Sequence, residues 1–151
     1  MKLGEYIKFK NGKKKPKEIG KIPVYGGNGV LGYTNKVNTE KNNLIIGRVG
    51  AYCGCVYKSD DECWVSDNAI LGQVKDNADY DFMYYLLNSL NLNNYHIGSS
   101  QPLMTQEILN NLKVDVPEYR VQVKIGKILS KVDDKIILNN QANDNLLELV
   151  A

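Results

Sequence analysis

The side chains able to do covalent or metal chemistry are few. The 151-residue chain holds one histidine and three cysteines. A Ser–His or Cys–His site would rest on His96 alone, and no serine occupies the Gly-x-Ser-x-Gly turn that exposes a nucleophile. Cys53, Cys55, Cys63 and His96 could in principle ligate zinc. Zinc sites, however, favour C-x-x-C pairs on turns, and Cys53-Gly54-Cys55 is a C-x-C inside a stretch that reads as a strand. Asp60, Asp61 and Glu62 gather three carboxylates, which suits the solvated tip of a hairpin better than a cation site. No catalytic residue, metal or cofactor is expected in this chain.

Cationic chemistry is better represented. The net charge is only +2, but Lys8, Lys10, Lys13, Lys14, Lys15, Lys17 and Lys21 crowd one short stretch, opposed by Glu5 and Glu18. Such a run is either a solvated loop or a phosphate-contacting one. Gly27, Gly29 and Gly32 satisfy the G-x-G-x-x-G spelling. A dinucleotide site also needs a following helix and an acidic residue about 20 positions on. Here Tyr33-Thr34-Asn35-Lys36 is turn-like and the acidic position falls near Tyr52, so the glycines read as a tight loop that allows close approach.

The elements that would hold these residues follow from periodicity. Leu3 to Phe9 alternates loosely, as a first strand or short helix. Asn43 to Gly54 reads as a buried strand broken by glycines with Arg48 exposed at the break, continued by Cys55-Val56-Tyr57. Cys63-Trp64-Val65 and Ala69-Ile70-Leu71 are further strands around Ser66-Asp67-Asn68. Asp79 or Asp81 can cap a helix over 80–90, and Thr105 a second over 106–112. Lys113 to Val116 alternates like a last strand. With 43% hydrophobic residues a core can be filled. Ten tyrosines against two phenylalanines and one tryptophan suit wet interfaces. No signal peptide or membrane span is read, three cysteines argue against a disulfide framework, and a cytoplasmic location is expected.

From Pro117 the pattern changes to one long helix. Pro117 and Glu118 suit a helix start. Ile125, Leu129, Val132, Ile136, Asn139, Asn143, Leu146 and Val150 recur at alternating spacings of four and three, the seam of a coiled coil. At about 1.5 Å per residue the helix spans about 45 Å, more than one small domain covers. Asn139 and Asn143 in mid-seam would fix register, because a slipped pairing leaves their amides unsatisfied. An ordinary C-terminal helix packed on its own domain is the alternative.

In motif order the whole chain resembles the specificity (S) subunit of type I restriction–modification systems. The likeness is carried by Gly20-Lys21-Ile22-Pro23-Val24-Tyr25-Gly26-Gly27-Asn28-Gly29 with Gly32-Tyr33. Next come Ile46-Gly47-Arg48-Val49-Gly50, then Trp64 and Ser66-Asp67-Asn68-Ala69. Gly98-Ser99-Ser100-Gln101-Pro102 and Val114-Asp115-Val116-Pro117 follow, and Gln122, Ile125, Leu129 and Asp133 close the series. The resemblance implies a non-catalytic, DNA-reading subunit. A full S subunit pairs two recognition domains, each reading half of a bipartite site, with two antiparallel helices as the ruler between them. This chain has one such unit, and is therefore a half-subunit or a fragment.

The expected fold is α+β: a β-rich target recognition domain with a few short helices over 1–117, then one long coiled-coil helix over 118–151. Expected partners are double-stranded DNA, the methylation subunit of the same system, which would carry S-adenosylmethionine, and a second copy joined through Ile125, Leu129, Val132, Ile136, Asn139, Asn143 and Leu146. Lys13, Lys14 and Lys15 are expected on phosphates. Tyr25, Asn28, Arg48, Ser99, Ser100 and Gln101 are expected at base edges, where Arg suits guanine and Asn or Gln adenine. Tyr25 and Arg48 could instead only brace their loops. A helix-mediated module that binds the methylation subunit without reading DNA is the competing function, and a small enzyme using His96 and the cysteines a third.

Overall fold

The computed structural model describes residues 1–150. A 3-10 turn (Leu3–Glu5) leads into β1 (Ile7–Asn11). Then come β2 (Ile22–Gly26), β3 (Gly29–Thr34), β4 (Asn43–Gly47), β5 (Val56–Ser59), β6 (Trp64–Val65) and β7 (Ala69–Val74). Three helices follow: α1 (Tyr80–Ser89), α2 (Gln106–Asn111) and α3 (Tyr119–Val150).

Two sheets form. One is fully antiparallel in the order β1-β7-β4-β5; the other is β3-β2-β6, with β6 parallel to β2. Strand alternation explains how they stack. Leu44, Ile46 and Ile70 face a core shared with Phe82, Met83 and Leu87 of α1 and Leu109 of α2. Ile45 and Leu71 face the opposite way, against Val65 of the smaller sheet. The larger sheet is thus covered on both faces, by helices and by the second sheet. That is why all of β4 is buried and its Leu44-Ile45-Ile46 run is continuous rather than alternating.

Helix starts follow the sequence. The Asp79 carboxylate accepts from Phe82 N at 2.9 Å, and the Thr105 hydroxyl from Ile108 N at 3.1 Å.

Other local expectations change. Cys55-Val56-Tyr57 does not prolong β4: the chain reverses through a 3-10 turn (Gly50–Tyr52), and β5 returns antiparallel to β4. Cys53 and Cys55 therefore sit in a turn and not within a strand. The Asp60–Glu62 segment links two strands of different sheets and is not a hairpin tip. Lys113 to Val116 is not a strand. Only Lys113 bridges, to Lys2, while Val114 and Val116 are buried in the helix-side core. Beyond that single bridge, flanked by the bond from Val114 N to Met1 O at 2.9 Å, no ladder forms, and burial accounts for their alternation.

Candidate nucleic-acid interface

The strand registers place four segments at one end of the larger sheet. Asn11 pairs with Ile70, Gly47 with Ala69 and Ile46 with Val56. The end of β1, the end of β4 and the starts of β5 and β7 therefore lie together. At the other end Ile7 pairs with Val74 and Asn43 with both Gln73 and Ser59. Tyr119, the first residue of α3, lines a cleft there with Asn42, Gln73 and Lys75. Loops and helix root thus occupy opposite ends of the sheet.

At the loop end the turn Ser66-Asp67-Asn68 is the hub. On one side the lysine segment docks on it: Gly12 N donates to Ala69 O and Lys13 N to Val65 O, both at 3.0 Å, while the Trp64 indole donates to Lys13 O at 3.0 Å. Backbone is consumed in this docking, and the side chains of Lys13, Lys14 and Lys15 are exposed. On the other side Arg48 N donates to Asn68 O at 2.9 Å and its guanidinium to Asp67 O at 3.0 Å. Arg48 is half-buried, with donors beyond the one bond to Asp67 still available. It opens onto a groove with Asn11, Gln106 and Glu107.

The Ser99-Ser100-Gln101 loop is tied to the same place. Met104 N donates to Arg48 O at 2.8 Å and Gly50 N to Pro102 O at 3.0 Å, and Leu103 bridges both Val49 and Ile97. All three loop residues are exposed. Asn28, exposed at the β2–β3 turn, accepts from the Tyr57 hydroxyl at 2.9 Å, and the Tyr57 ring lies beneath Gly29. Gly27 of that turn faces Gly47, Tyr52 and Asn68 O. Tyr25 is half-buried and packs against the Ile45–Val65 cluster between the sheets, so its ring braces the turn. The G-x-G-x-x-G spelling thus lies in a β-hairpin, with no helix after it.

Gly47 is indispensable to this geometry. A Cβ there would lie 2.0 Å from the Tyr52 carbonyl oxygen, a backbone atom that cannot swing away. Gly47→Ala is expected to cost about 3 kcal/mol by forcing the turn off β4. Urea unfolding reads this loss, and a midpoint equal to that of the parent chain would contradict it.

The groups that suggested enzymatic chemistry lie apart from this end in character. Cys63 is fully buried, its N and O both bonded to the Thr39 hydroxyl, and burial pushes its thiol up. Cys53 is raised by burial and then by neighbouring Cys55. Neither is a ready thiolate. His96 is exposed, with Nδ1 against the Asn93 carbonyl. Among the described residues no three His, Cys, Asp or Glu side chains gather as a metal site, and no helix is long and apolar enough to cross a membrane.

Two contributors lacked a sequence signal. Tyr57 read only as a strand residue, and the Ser66–Asn68 turn as a connection and a motif of the resemblance, with no site role of its own. Neither shows its hub role without the register that brings β1, β4 and β7 together.

α3 divides in two. Gln122 and Gly126 are buried and Ile125 packs on the helix-side core, whereas every residue from Asp134 to Val150 is exposed. The exposed part carries Ile136 (50%) and Leu146 (59%), with Asn139 and Asn143 between them, and Val132 (51%) is exposed just before it.

Comparison with known proteins gives a consistent picture. A family described as type I restriction modification DNA specificity domain matches residues 1–148. The type I restriction enzyme EcoprrI specificity subunit of Escherichia coli is 32% identical over 88% of this chain, which spans 33% of that protein. The S subunit of a type I restriction–modification system from M. genitalium superposes with a TM-score of 0.78 at 24% identity, over 89% of this chain and 38% of that one. A chain from work on complex assembly and conformational transition of the type I R-M system gives 0.73 at 15% identity, over 94% and 40%. The chain thus spans about a third of the length of the curated relative it matches.

Proposed function

Because the chain belongs to the type I restriction modification DNA specificity domain family, we propose that it reads one half of a bipartite DNA site and directs a methylation subunit to it. The observation that carries this reading is the convergence of the Lys13–Lys15 loop, the Asn28 turn, Arg48 and the Ser99–Gln101 loop on one turn at one end of the sheet. Positioning and reading groups are side by side there. Lysines neutralise phosphates without sequence preference, while Arg48, Asn28 and Gln101 offer donor and acceptor patterns that distinguish base edges. Mounting these polar groups on loops held by a doubly covered sheet keeps their positions fixed when DNA arrives. In this reading the chain makes and breaks no bonds. Methyl transfer and S-adenosylmethionine belong to the partner subunit, whose access to a stacked base requires flipping it out.

A second copy would join through the exposed seam of α3, giving two recognition units and a palindromic bipartite site. Co-expression with the methylation subunit encoded beside this chain, followed by sequencing host DNA for methylated adenine, tests the proposal. Methylation at one bipartite motif is the expected result. A stable complex that methylates nothing would instead favour a module that binds the methylation subunit without reading DNA.

Tyr57 is expected to act on recognition through Asn28. Its phenol donates to Asn28 Oδ1 and leaves the amide NH2 free to donate elsewhere. Tyr57→Phe removes one hydrogen bond, worth about 1 kcal/mol, or about fivefold in affinity. Fluorescence anisotropy on a cognate duplex should show that weakening with little change in melting temperature. Equal affinities would remove Asn28 from the reading set.

A further inference from the structure

The root of α3 is built more firmly than an interaction helix requires. Gln122 is polar yet only 1% exposed. Its Oε1 accepts from Asp79 N, and its Nε2 donates to Pro117 O, both at 2.9 Å. One side chain therefore ties the start of α1, the approach to α3 and the first turn of α3. One turn on, Gly126 is where the two helices touch. A Cβ there would lie 2.5 Å from Asp79 Oδ1, the oxygen that caps Phe82 N, and 2.9 Å from Phe82 N itself. Two turns further, the Tyr85 hydroxyl donates to Asp133 Oδ2. The other flank of α1 is fixed to the sheet by Lys58 of β5, which lies 3.3 Å from Asp81 and 5.1 Å from the centroid of the Tyr84 ring. Tyr57, the preceding residue on β5, reaches the opposite face and holds the Asn28 turn. An unbroken path of packed and bonded groups thus runs from a reading loop to α3.

Contacts spaced along 122–133 cover about 16 Å of helix axis. Two separated contacts fix the direction of a rod, and a third off its axis fixes its roll. A helix of 32 residues is about 48 Å long, so a tilt of about 10° at the root moves the far end by about 8 Å. That is more than two base-pair steps of about 3.4 Å.

We propose that the joint formed by Gln122, Gly126 and Asp133 against Asp79, Phe82 and Tyr85 is a specificity determinant: it sets the direction and roll of α3, and with them the separation and helical phase between the half-site this chain reads and the half-site read at the other end of the helix pair. This rests on the DNA-reading function proposed above. Its members are positioning residues that touch no DNA.

The test uses the full chain co-expressed with its methylation subunit and a plasmid library in which half-sites are separated by graded spacers. The parent should methylate one spacing. Tyr85→Phe combined with Asp133→Asn, and separately Gly126→Ala, should keep the half-site sequence but lose at least tenfold of the preference over spacings one base pair longer or shorter. Melting temperature and light scattering of each variant establish that it folds and assembles. The conservative double variant carries the test where Gly126→Ala does not fold. A folded, assembled variant with unaltered spacing preference overturns the proposal. If the parent methylates nothing, the DNA-reading function fails first, and the joint is then judged on spin labels at Asn93 and Asn140. A distance distribution that is narrow in the parent and broadened in the double variant supports the joint, and identical distributions overturn it.

Discussion

Leu129→Lys combined with Ile136→Lys is expected to turn an assembled dimer into monomers and to abolish directed methylation. Both residues lie on the seam of α3 and are 36% and 50% exposed in the single chain. Inserting them between two helices would remove that apolar area from water. Fully burying a Leu or Ile side chain contributes about 1.5–3 kcal/mol, so covering the exposed fraction of these two contributes about 1 kcal/mol each, and a symmetric pair buries four of them. The loss is about 4 kcal/mol before repulsion between the new ammonium groups, or about a thousandfold in dissociation constant. Light scattering across a concentration series reads the change directly. Because Leu129 and Ile136 lie outside the buried helix-side core, the melting temperature of the recognition domain should barely move. Dimers that survive both lysines would mean that copies meet elsewhere, and the seam would lose its assignment.

The second large effect concerns salt. Lys13, Lys14 and Lys15 are exposed on a loop whose backbone is pinned to the β6–β7 connection. If each neutralises one phosphate, replacing all three by Ala flattens the plot of log affinity against log salt by about 2.7. At about 0.15 M salt that is a weakening of about a hundredfold, shared by cognate and unrelated duplexes alike. Arg48→Ala should behave differently, discriminating less between bases at one position and costing about 1–3 kcal/mol on the cognate site. Titrations at several salt concentrations separate the two behaviours. A slope untouched by the triple substitution would leave the lysines as a solvated loop.

Much of this architecture was legible because it is local. The caps at Asp79 and Thr105 need only a side chain and an amide three residues on. The heptad spacing of α3 needs only the helical period. What was illegible is pairing across distance. β6 has two residues and pairs parallel to β2 through Val24–Trp64 and Tyr25–Val65, a match no short stretch announces. The reversal of β4 into β5 was hidden because glycines mark a break and a turn alike. Val114 and Val116 show the converse failure: alternating burial looked like a strand although the core and one isolated bridge, with no ladder, hold them. For the site, residue types suggested which side chains could meet DNA. Their convergence depends on the register Asn11–Ile70 and Gly47–Ala69, which only the folded sheet reveals. Gln122 is a polar residue on the buried face of a helix, and its meaning lies in two backbone groups, one of them 43 residues away.

The division of α3 ties the order of its outer arm to whatever pairs with it. Its turns beyond Asp133 gain nothing from their own domain, and a lone helical segment of that size is marginal in water. Ordering of the arm and capture of a second arm are then one concentration-linked equilibrium. A newly made chain at low abundance would present a frayed, protease-accessible tail bearing exposed leucines, while paired chains would withdraw it.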